Sequence, residues 1–287
     1  MPARLPQIRT RKSSVVVGIY NKDAGASAPR LCCIESKVVK KSDCRIQPHN
    51  FPELMTSKFG HSFFAIALVF FGLQHFLYLM PLHGPAAGPP WILARPLWAA
   101  VMGAFLLLIG VLLATRRMTQ FAASLLAAVL FLYVIFLYVP GLVRHLHDPG
   151  RWTSTAELTC LCGVALVLAG LGSLGRIFYA VPLLVFGVQH FLYAQFISTL
   201  VPTWIPYRLF WAYFVGTAFI AAAVSISTKG QARLAAILLG VMFLSWVIIL
   251  HAPRVAAHLR NGNEWTSAFI ALAMAGGAWI VAETSSK

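Results

Sequence analysis

The sequence FGLQHFLY at residues 71–78 returns as FGVQHFLY at residues 186–193, with seven identities in eight positions. A match of this quality within one chain indicates an internal duplication. The match continues downstream at an offset of 113 residues, where the pattern W-x-x-x-R-x-x-W begins at Trp91 and again at Trp204. The chain is therefore predicted to consist of two tandem copies of one unit.

The composition indicates that both copies lie in a membrane. Hydrophobic residues make up 59% of the chain and charged residues 11%, and the mean hydropathy is +0.76. These values are typical of integral membrane proteins. A helix needs about 20 apolar residues to cross the hydrocarbon of a bilayer. Eight such stretches are predicted, near residues 60–80, 96–114, 119–139, 154–172, 177–197, 208–226, 232–252 and 266–282.

The number of spans in each copy predicts how the two copies are related. Four spans is an even number, so both copies enter the membrane in the same sense, related by an axis along the membrane normal. The predicted fold is an all-α integral membrane protein with eight transmembrane helices in two parallel four-helix repeats, 55–173 and 174–287. We expect the copies to pack through Gly- and Ala-rich faces such as those of Gly103 and Gly216.

The segment before the first span differs from the rest of the chain. Residues 1–54 are basic and have neither helical nor strand periodicity, so they are predicted to be a disordered N-terminal extension that is dispensable for function. Lys and Arg total 23 against 8 Asp and Glu. The basic residues before the first span favour both termini in the cytoplasm. The prediction is a multi-pass protein of a bacterial inner membrane, in contact with the lipid bilayer and with no nucleic-acid partner.

Polar residues that match between the copies gather at one membrane surface, because the helix direction alternates. In each copy a Gln-His pair ends the first span, an Arg and a Trp open the second, and a His follows the third. On the predicted topology this surface is external. The candidate ligand-binding residues are Gln74, His75, Tyr78, Arg95, Trp98 and His145 in the first copy, and Gln189, His190, Tyr193, Arg208, Trp211 and His258 in the second.

Several chemistries fit this set. An Arg one turn away from two indoles can stack on them and present its donors to an anion or a carbonyl. Alternatively, Arg95 and Arg208 can extend to the lipid headgroups, the Trp and Tyr side chains can anchor the helices at the interface, and His75 can bond to a neighbouring helix. Thr153-Ser154 and Thr266-Ser267 are predicted to be the N-caps of the fourth and eighth spans.

Redox and metal motifs are scarce in the sequence. The chain contains no Cys-x-x-Cys, which a thiol-relay enzyme requires. Beyond His145-x-His147 it contains no metal-ligand spacing, so neither a metal nor a haem site is predicted. Glu157 is the only carboxylate well inside a predicted span, and its matched position is Ile270. One acid is too few for a proton relay, and no cofactor motif is evident.

The Gln-His near the end of the first span, the four-span unit and the later Pro and Trp positions resemble the DoxX family of small bacterial membrane proteins. Its wider group includes the DoxD subunit of thiosulfate:quinone oxidoreductase and the eukaryotic surfeit-locus cargo receptor. The resemblance covers about residues 59–283, and here two units are fused. It implies a membrane subunit associated with a redox partner protein or a quinone, without assigning any catalytic residue.

Two functions therefore remain as hypotheses. The first is a redox- or quinone-associated membrane subunit with an externally facing His/Arg/Trp site, in which quinone is the candidate cofactor. The second is a non-catalytic membrane protein that carries or binds a small molecule or a lipid. Enzymatic activity is left open by both.

Overall fold

The computed structural model describes residues 51–78 and 95–284, with side chains described for 58–77 and 96–284. Residues 1–50 of the predicted extension, 1–54, lie outside the described residues. A short helix, Ala194–Leu200, also occurs, and the described part of the chain contains no β-strand. The eight long helices are α1 Phe51–Tyr78, α2 Arg95–Ala114, α3 Thr119–Arg144, α4 Pro149–Leu168, α5 Gly172–Leu192, α6 Arg208–Thr228, α7 Ala232–Ala257 and α8 Gly262–Thr284.

The protein is all-helical, as predicted, and has the helices of a multi-pass membrane protein. Within the described residues, seven helices are long and apolar enough to cross a membrane: α1, α2, α3, α5, α6, α7 and α8. The fourth predicted span falls on α4, which has 20 residues but is more polar, since its first half carries Arg151 and Glu157. The second half of α4 is almost entirely buried among other helices.

Helices α4 and α8 begin earlier than the sequence indicated. Asp148 caps α4 by accepting a hydrogen bond from the Gly150 amide at 2.8 Å. Asn261 accepts in the same way from the Asn263 amide at 3.0 Å, directly before α8. Asp and Asn cap helices at least as well as Thr, so the start of each helix moves to them. The predicted N-caps at Thr153-Ser154 and Thr266-Ser267 are wrong, because these residues lie about one turn inside their helices.

Helices α3 and α7 continue past Pro140 and Pro253, which directly follow the predicted ends of these spans at residues 139 and 252. Each contains a π-helical turn, Val134–Tyr138 and Val247–His251, directly before Val139-Pro140 and Ala252-Pro253. A Pro has no amide hydrogen to donate, and its ring clashes with the carbonyl four residues before it. The wider π turn accommodates this defect. Both helices therefore extend about five residues beyond the predicted ends.

The long helices pack in a closed sequence in which each helix contacts the next, and α8 returns to contact α1. Helices α4 and α8 also contact each other in the middle. We call α1–α4 the first half and α5–α8 the second half. The main contacts between the halves are therefore made by α1 with α8, by α4 with α5, and by α4 with α8. The rings of Phe131 in α3 and Phe178 in α5 also meet across the halves, with centroids 6.2 Å apart.

Glycine pairs allow close approach where the halves meet. A Cβ on Gly276 of α8 would lie 2.6 Å from the Gly60 carbonyl oxygen of α1, and a Cβ on Gly163 of α4 would lie 2.7 Å from the Gly175 carbonyl oxygen of α5. Small residues commonly bring membrane helices together in this way.

The glycines that we expected between the copies lie elsewhere. A Cβ on Gly103 would lie 3.0 Å from the Gly72 carbonyl oxygen, and one on Gly216 would lie 3.2 Å from the Gly187 carbonyl oxygen. Each contact joins the first two helices of one half. The prediction that Gly103 and Gly216 pack the copies together is therefore wrong, because these glycines are used within each half.

Candidate functional site

A partly open cavity of about 90 Å³ is lined by the four long helices of the first half, α1–α4, and by the start of α8. Most of its lining is apolar, from Leu, Phe, Met, Val and Ile side chains. Polar side chains reach the lining at five positions: Gln74, His75, Tyr133, Glu157 and Thr266. A concave apolar site with a few convergent polar groups is the usual form of a small-molecule site.

His75 is held in one orientation by its own helix. Its Nδ1 lies 2.7 Å from the Phe71 carbonyl oxygen. A carbonyl oxygen can only accept, so Nδ1 carries the proton. In the neutral ring Nε2 is then an acceptor. His190 repeats this contact in the second half, with Nδ1 2.7 Å from the Phe186 carbonyl oxygen.

Tyr133 is oriented by a side chain from the neighbouring helix. The indole N–H of Trp98 donates to the Tyr133 hydroxyl oxygen at 2.9 Å, and the two rings stack with centroids 6.3 Å apart and 15° between their planes. Because the Tyr133 oxygen accepts this bond, its own hydrogen remains available to a ligand. Trp98 thus acts on the cavity through Tyr133.

Glu157 reaches the cavity from α4. Its carboxyl group makes no hydrogen bond within the described part of the chain. Nearby, the hydroxyl of Tyr138 is buried and has no hydrogen-bond partner among the described residues. Tyr138 is close enough to Glu157 and Arg151 for their charges to interact. The first half thus holds two polar groups, the Glu157 carboxyl and the Tyr138 hydroxyl, that make no hydrogen bond within the described residues.

Gln74, by contrast, is fully engaged in holding the halves together. It is 2% exposed. Its amide nitrogen donates to the Gly262 carbonyl at 3.2 Å, and its amide oxygen accepts from the Thr266 hydroxyl at 3.2 Å. Both partners belong to α8. Gln74 borders the cavity, but its polar atoms join α1 to the other half.

Gln189 makes the matched contact from the second half to the first, joining α5 to α4. Its amide nitrogen donates to the Pro149 carbonyl at 2.8 Å, and its amide oxygen accepts from the Thr153 hydroxyl at 3.0 Å. These two residues lie 113 positions before Gly262 and Thr266. The two retained glutamines therefore form a pair of equivalent clamps, α1 to α8 and α5 to α4.

The second half carries larger side chains around its matched histidine. At the 113-residue offset, Leu106, Leu130 and Tyr133 correspond to Phe219, Phe243 and Trp246. His190 packs edge-on against Phe219 at 5.3 Å and stacks on Trp246 at 6.3 Å, both measured between ring centroids. The rings of Phe219, Phe243 and Trp246 also contact one another. Aromatic rings thus pack against His190. The smaller side chains at the matched positions leave a cavity beside His75.

The other predicted residues do not join the cavity. The exposed Trp211 donates its indole N–H to the Pro206 carbonyl at 3.2 Å, next to its own helix. Within the described residues, no hydrogen bond or ring contact joins Arg208 or Trp211 to Gln189 or His190. The side chains of Tyr78 and Arg95 lie outside the described residues. Exposed side chains that do not line the cavity are Tyr193, Arg208, His145 and His258.

Sequence reasoning missed Tyr133 and set Glu157 aside. Both lacked an identical partner in the other copy, since Trp246 and Ile270 stand at the matched positions. That difference between the copies was the available signal. No group of three His, Cys, Asp or Glu residues suited to a metal ion occurs within the described residues.

Comparison with known families matched part of the second half. Residues 179–274 match the family model "Domain of unknown function (DUF8561)", which covers about a third of the chain. The match begins in α5 and ends in α8, at two residues in direct contact, since the Tyr179 hydroxyl donates to the Met274 carbonyl at 2.8 Å. No match was found to a curated protein or to a solved structure.

Proposed function

We propose that this chain is a DoxX-like, quinone-associated subunit of a bacterial inner membrane, and that its first half binds one quinone-class ring. The observation that carries the proposal is the cavity, whose mostly apolar wall includes His75, Tyr133 and Glu157. An aromatic ring with oxygen substituents fits such a lining, because the ring packs on apolar side chains while its oxygens meet polar groups.

The size and charge of the cavity favour a ring over a lipid headgroup. An engineered protein cavity of about 150 Å³ holds benzene, whereas sites for drug-sized ligands measure about 300–1,000 Å³. A cavity of about 90 Å³ is smaller than both, so a ring would fill it in part and extend through its open side, whereas a drug-sized ligand would lie mostly outside it. The described lining contains no Lys or Arg to pair with a phosphate. This chemistry supports a neutral carbonyl- or hydroxyl-bearing ring over an anionic group.

The architecture proposed with this function is two parallel four-helix repeats that cross the membrane eight times. The matched Gln clamps and glycine pairs support it, because each joins the first helix of one half to the last helix of the other half. Helix α4 would be the eighth span, with its exposed, polar first turn at the membrane surface and its second half buried among its neighbours. An even number of spans places both termini on one side, and the basic N-terminal segment favours the cytoplasm. The Gln-His ends of α1 and α5 would then face outward.

The difference between the halves supports one ligand per chain. Small side chains in the first half leave a cavity beside His75, whereas Phe219, Phe243 and Trp246 pack around His190. In this proposal the first half binds the ring and the second half is a scaffold. A redox partner protein would act at the outward-facing end.

The test is to purify the full chain from membranes, extract it with organic solvent and quantify bound quinone by chromatography. We expect about one quinone per chain. The double variant Leu106→Phe, Tyr133→Trp copies the second half into the first and should reduce bound quinone to background. The matched control is Leu108→Phe, which adds the same ring on the lipid-facing side of α2, where Leu108 is 59% exposed.

Two outcomes would contradict the proposal. Phospholipid as the only extracted molecule would favour a lipid carrier. Equal quinone in the parent and the double variant, with both folded, would place any bound quinone outside this cavity.

A further inference from the structure

The hydrogen bonding of His75 restricts what its free nitrogen can recognise. Nδ1 donates to the Phe71 carbonyl at 2.7 Å, so Nε2 is the only ring atom left for a ligand. A second proton on Nε2 would create a cation beside an apolar wall, which is costly without a counter-charge. No ion pair joins His75 to Glu157 or to any other acidic group in the described part of the chain. Nε2 is therefore an acceptor, on a residue that lines the cavity.

The other two groups complete a mixed set. The Tyr133 hydroxyl accepts from Trp98 at 2.9 Å and has its own hydrogen to donate. The carboxyl group of Glu157 has an acceptor oxygen in either protonation state. Gln74 adds nothing further, because its amide is engaged with Gly262 and Thr266. The residues that line the cavity thus supply one fixed donor at Tyr133, one acceptor at His75, and a carboxyl group at Glu157 that accepts in either state and also donates when it is protonated.

This set fits a ring that carries hydroxyl groups better than one that carries carbonyls. A ring hydroxyl can donate to His75 Nε2 or to Glu157, and can also accept from Tyr133. A carbonyl oxygen placed against Nε2 would bring two acceptors together and leave both without a hydrogen. A site built to accept from a hydroxyl discriminates strongly against an analogue that lacks it.

We infer that the cavity selects the reduced ring, a hydroquinone, over the corresponding quinone, with His75 as the residue that sets this preference. This inference rests on the proposed function, since it names the form of the ligand at the same site. The chemistry involved is recognition alone, and no bond is made or broken.

The experiment compares duroquinol, duroquinone and duroquinol dimethyl ether binding to the full chain in detergent, under anaerobic conditions at neutral pH. Fully substituted rings are chosen because thiols cannot add to them, and the chain contains five Cys residues. Equilibrium dialysis against protein-free micelles corrects for partition into detergent. We expect duroquinol to bind at least about tenfold more tightly than duroquinone and the dimethyl ether, as one lost hydrogen bond and an unpaired acceptor predict.

The variants then assign the preference to one residue. His75→Phe keeps an aromatic ring but removes the acceptor, and should lower the ratio of the two affinities to about twofold or less. His190→Phe is the matched control, because His190 makes the same bond to its own helix but is covered by Phe219 and Trp246. It should leave the ratio unchanged.

The comparison of the two redox forms needs no variant, so it stands even if His75→Phe fails to fold. Duroquinone binding as tightly as duroquinol, or more tightly, would overturn the inference while leaving a quinone-class site in place. A preference for duroquinol that persists in folded His75→Phe would also overturn it. Binding of none of the three rings would remove the proposed function itself, and the inference with it.

Discussion

Trp246 stacks on His190, with ring centroids 6.3 Å apart and 18° between the planes. The histidine at the matched position of the first half borders a cavity instead. The side chain matched to Trp246 is Tyr133, which stacks on Trp98 at 15°. Both halves thus keep the histidine and its bond to its own helix. In the second half aromatic rings pack against it, whereas in the first half it borders a cavity. Under the proposed function, the divergence of these surroundings, rather than of the histidine, distinguishes the half that binds the ring from the half that does not.

Opening the second half should therefore create a second site. The triple variant Phe219→Leu, Phe243→Leu, Trp246→Tyr gives the second half the side chains of the first at three matched positions. We expect bound quinone to rise from about one towards two per chain, with the second site weaker because Ile270 stands where Glu157 does. Stability should fall, on the order of 1 kcal/mol for each truncated side chain.

The measurement is again chromatography of extracted quinone, together with thermal unfolding in detergent. Phe214→Leu is the control, since Phe214 is 52% exposed on the same helix as Phe219. A folded triple variant that still carries a single ring would show that these three side chains do not close the second half.

The helices were predictable from the sequence because each span is a long apolar stretch, and membrane crossing requires little more. Boundaries failed where local chemistry decided them. Asp148 and Asn261 cap α4 and α8 ahead of the Thr-Ser pairs, and a π turn carries α3 past Pro140. Neither effect is visible in hydropathy alone.

The candidate site was only partly predictable, because retention between copies selects residues that both copies need. Gln74 and Gln189 are retained, and both hydrogen-bond to the other half of the protein. Gln74 bonds to Gly262, 188 positions away, and Gln189 bonds to Pro149, 40 positions away. Glu157 was set aside because Ile270 matches it, although the site occupies one half. In a duplicated chain, a residue that functions in one copy alone differs from its counterpart in the other copy, so a search for retained residues overlooks it.

The Gln clamps predict a paired loss of stability. Gln74→Leu and Gln189→Leu each remove two hydrogen bonds between the halves. Hydrogen bonds between membrane helices average about 0.6 kcal/mol each, so each variant should lose about 1–2 kcal/mol. The double variant should lose roughly the sum, because the two clamps share no partner.

Thermal unfolding of the detergent-purified protein would measure this loss. Gln195→Leu serves as the control, since Gln195 is exposed on the short helix after α5. If the Gln variants unfold like the parent and only ligand binding falls, the glutamines act on the ligand and the clamp interpretation is wrong.

Ring binding should respond differently to the two matched tryptophans. Trp98→Phe removes the donor that orients Tyr133, so affinity for the ring should fall about two- to tenfold, the equivalent of one neutral hydrogen bond. Trp211→Phe and Arg208→Ala should leave affinity unchanged, because both side chains are exposed and neither lines the cavity. Equilibrium dialysis with duroquinol measures all three. A loss on Arg208→Ala equal to that on Trp98→Phe would restore the predicted second-half pocket.

The glycine pairs between the halves give a prediction whose sign opposes the usual rule. Replacing Gly by Ala inside an exposed stretch of helix normally stabilises it by about 1 kcal/mol. At Gly163 the new Cβ would lie 2.6 Å from the Tyr179 amide nitrogen and 2.7 Å from the Gly175 carbonyl oxygen. Both are backbone atoms, which cannot rotate away, so α4 and α5 must separate. Gly163→Ala should therefore destabilise the protein by about 1–3 kcal/mol, the usual cost of overpacking.

Gly276→Ala should have the same effect at the contact between α8 and α1, because its Cβ would lie 2.6 Å from the Gly60 carbonyl oxygen. Gly172→Ala is the matched control, since the nearest atom to its Cβ would be a Thr284 methyl carbon at 3.7 Å, an ordinary contact. Thermal unfolding in detergent compares the three. Because the two pairs hold different contacts between the same halves, losses of similar size at Gly163 and Gly276 are expected if the halves associate through equivalent surfaces. A stabilised Gly163→Ala protein would mean that α4 and α5 are farther apart than these contacts require.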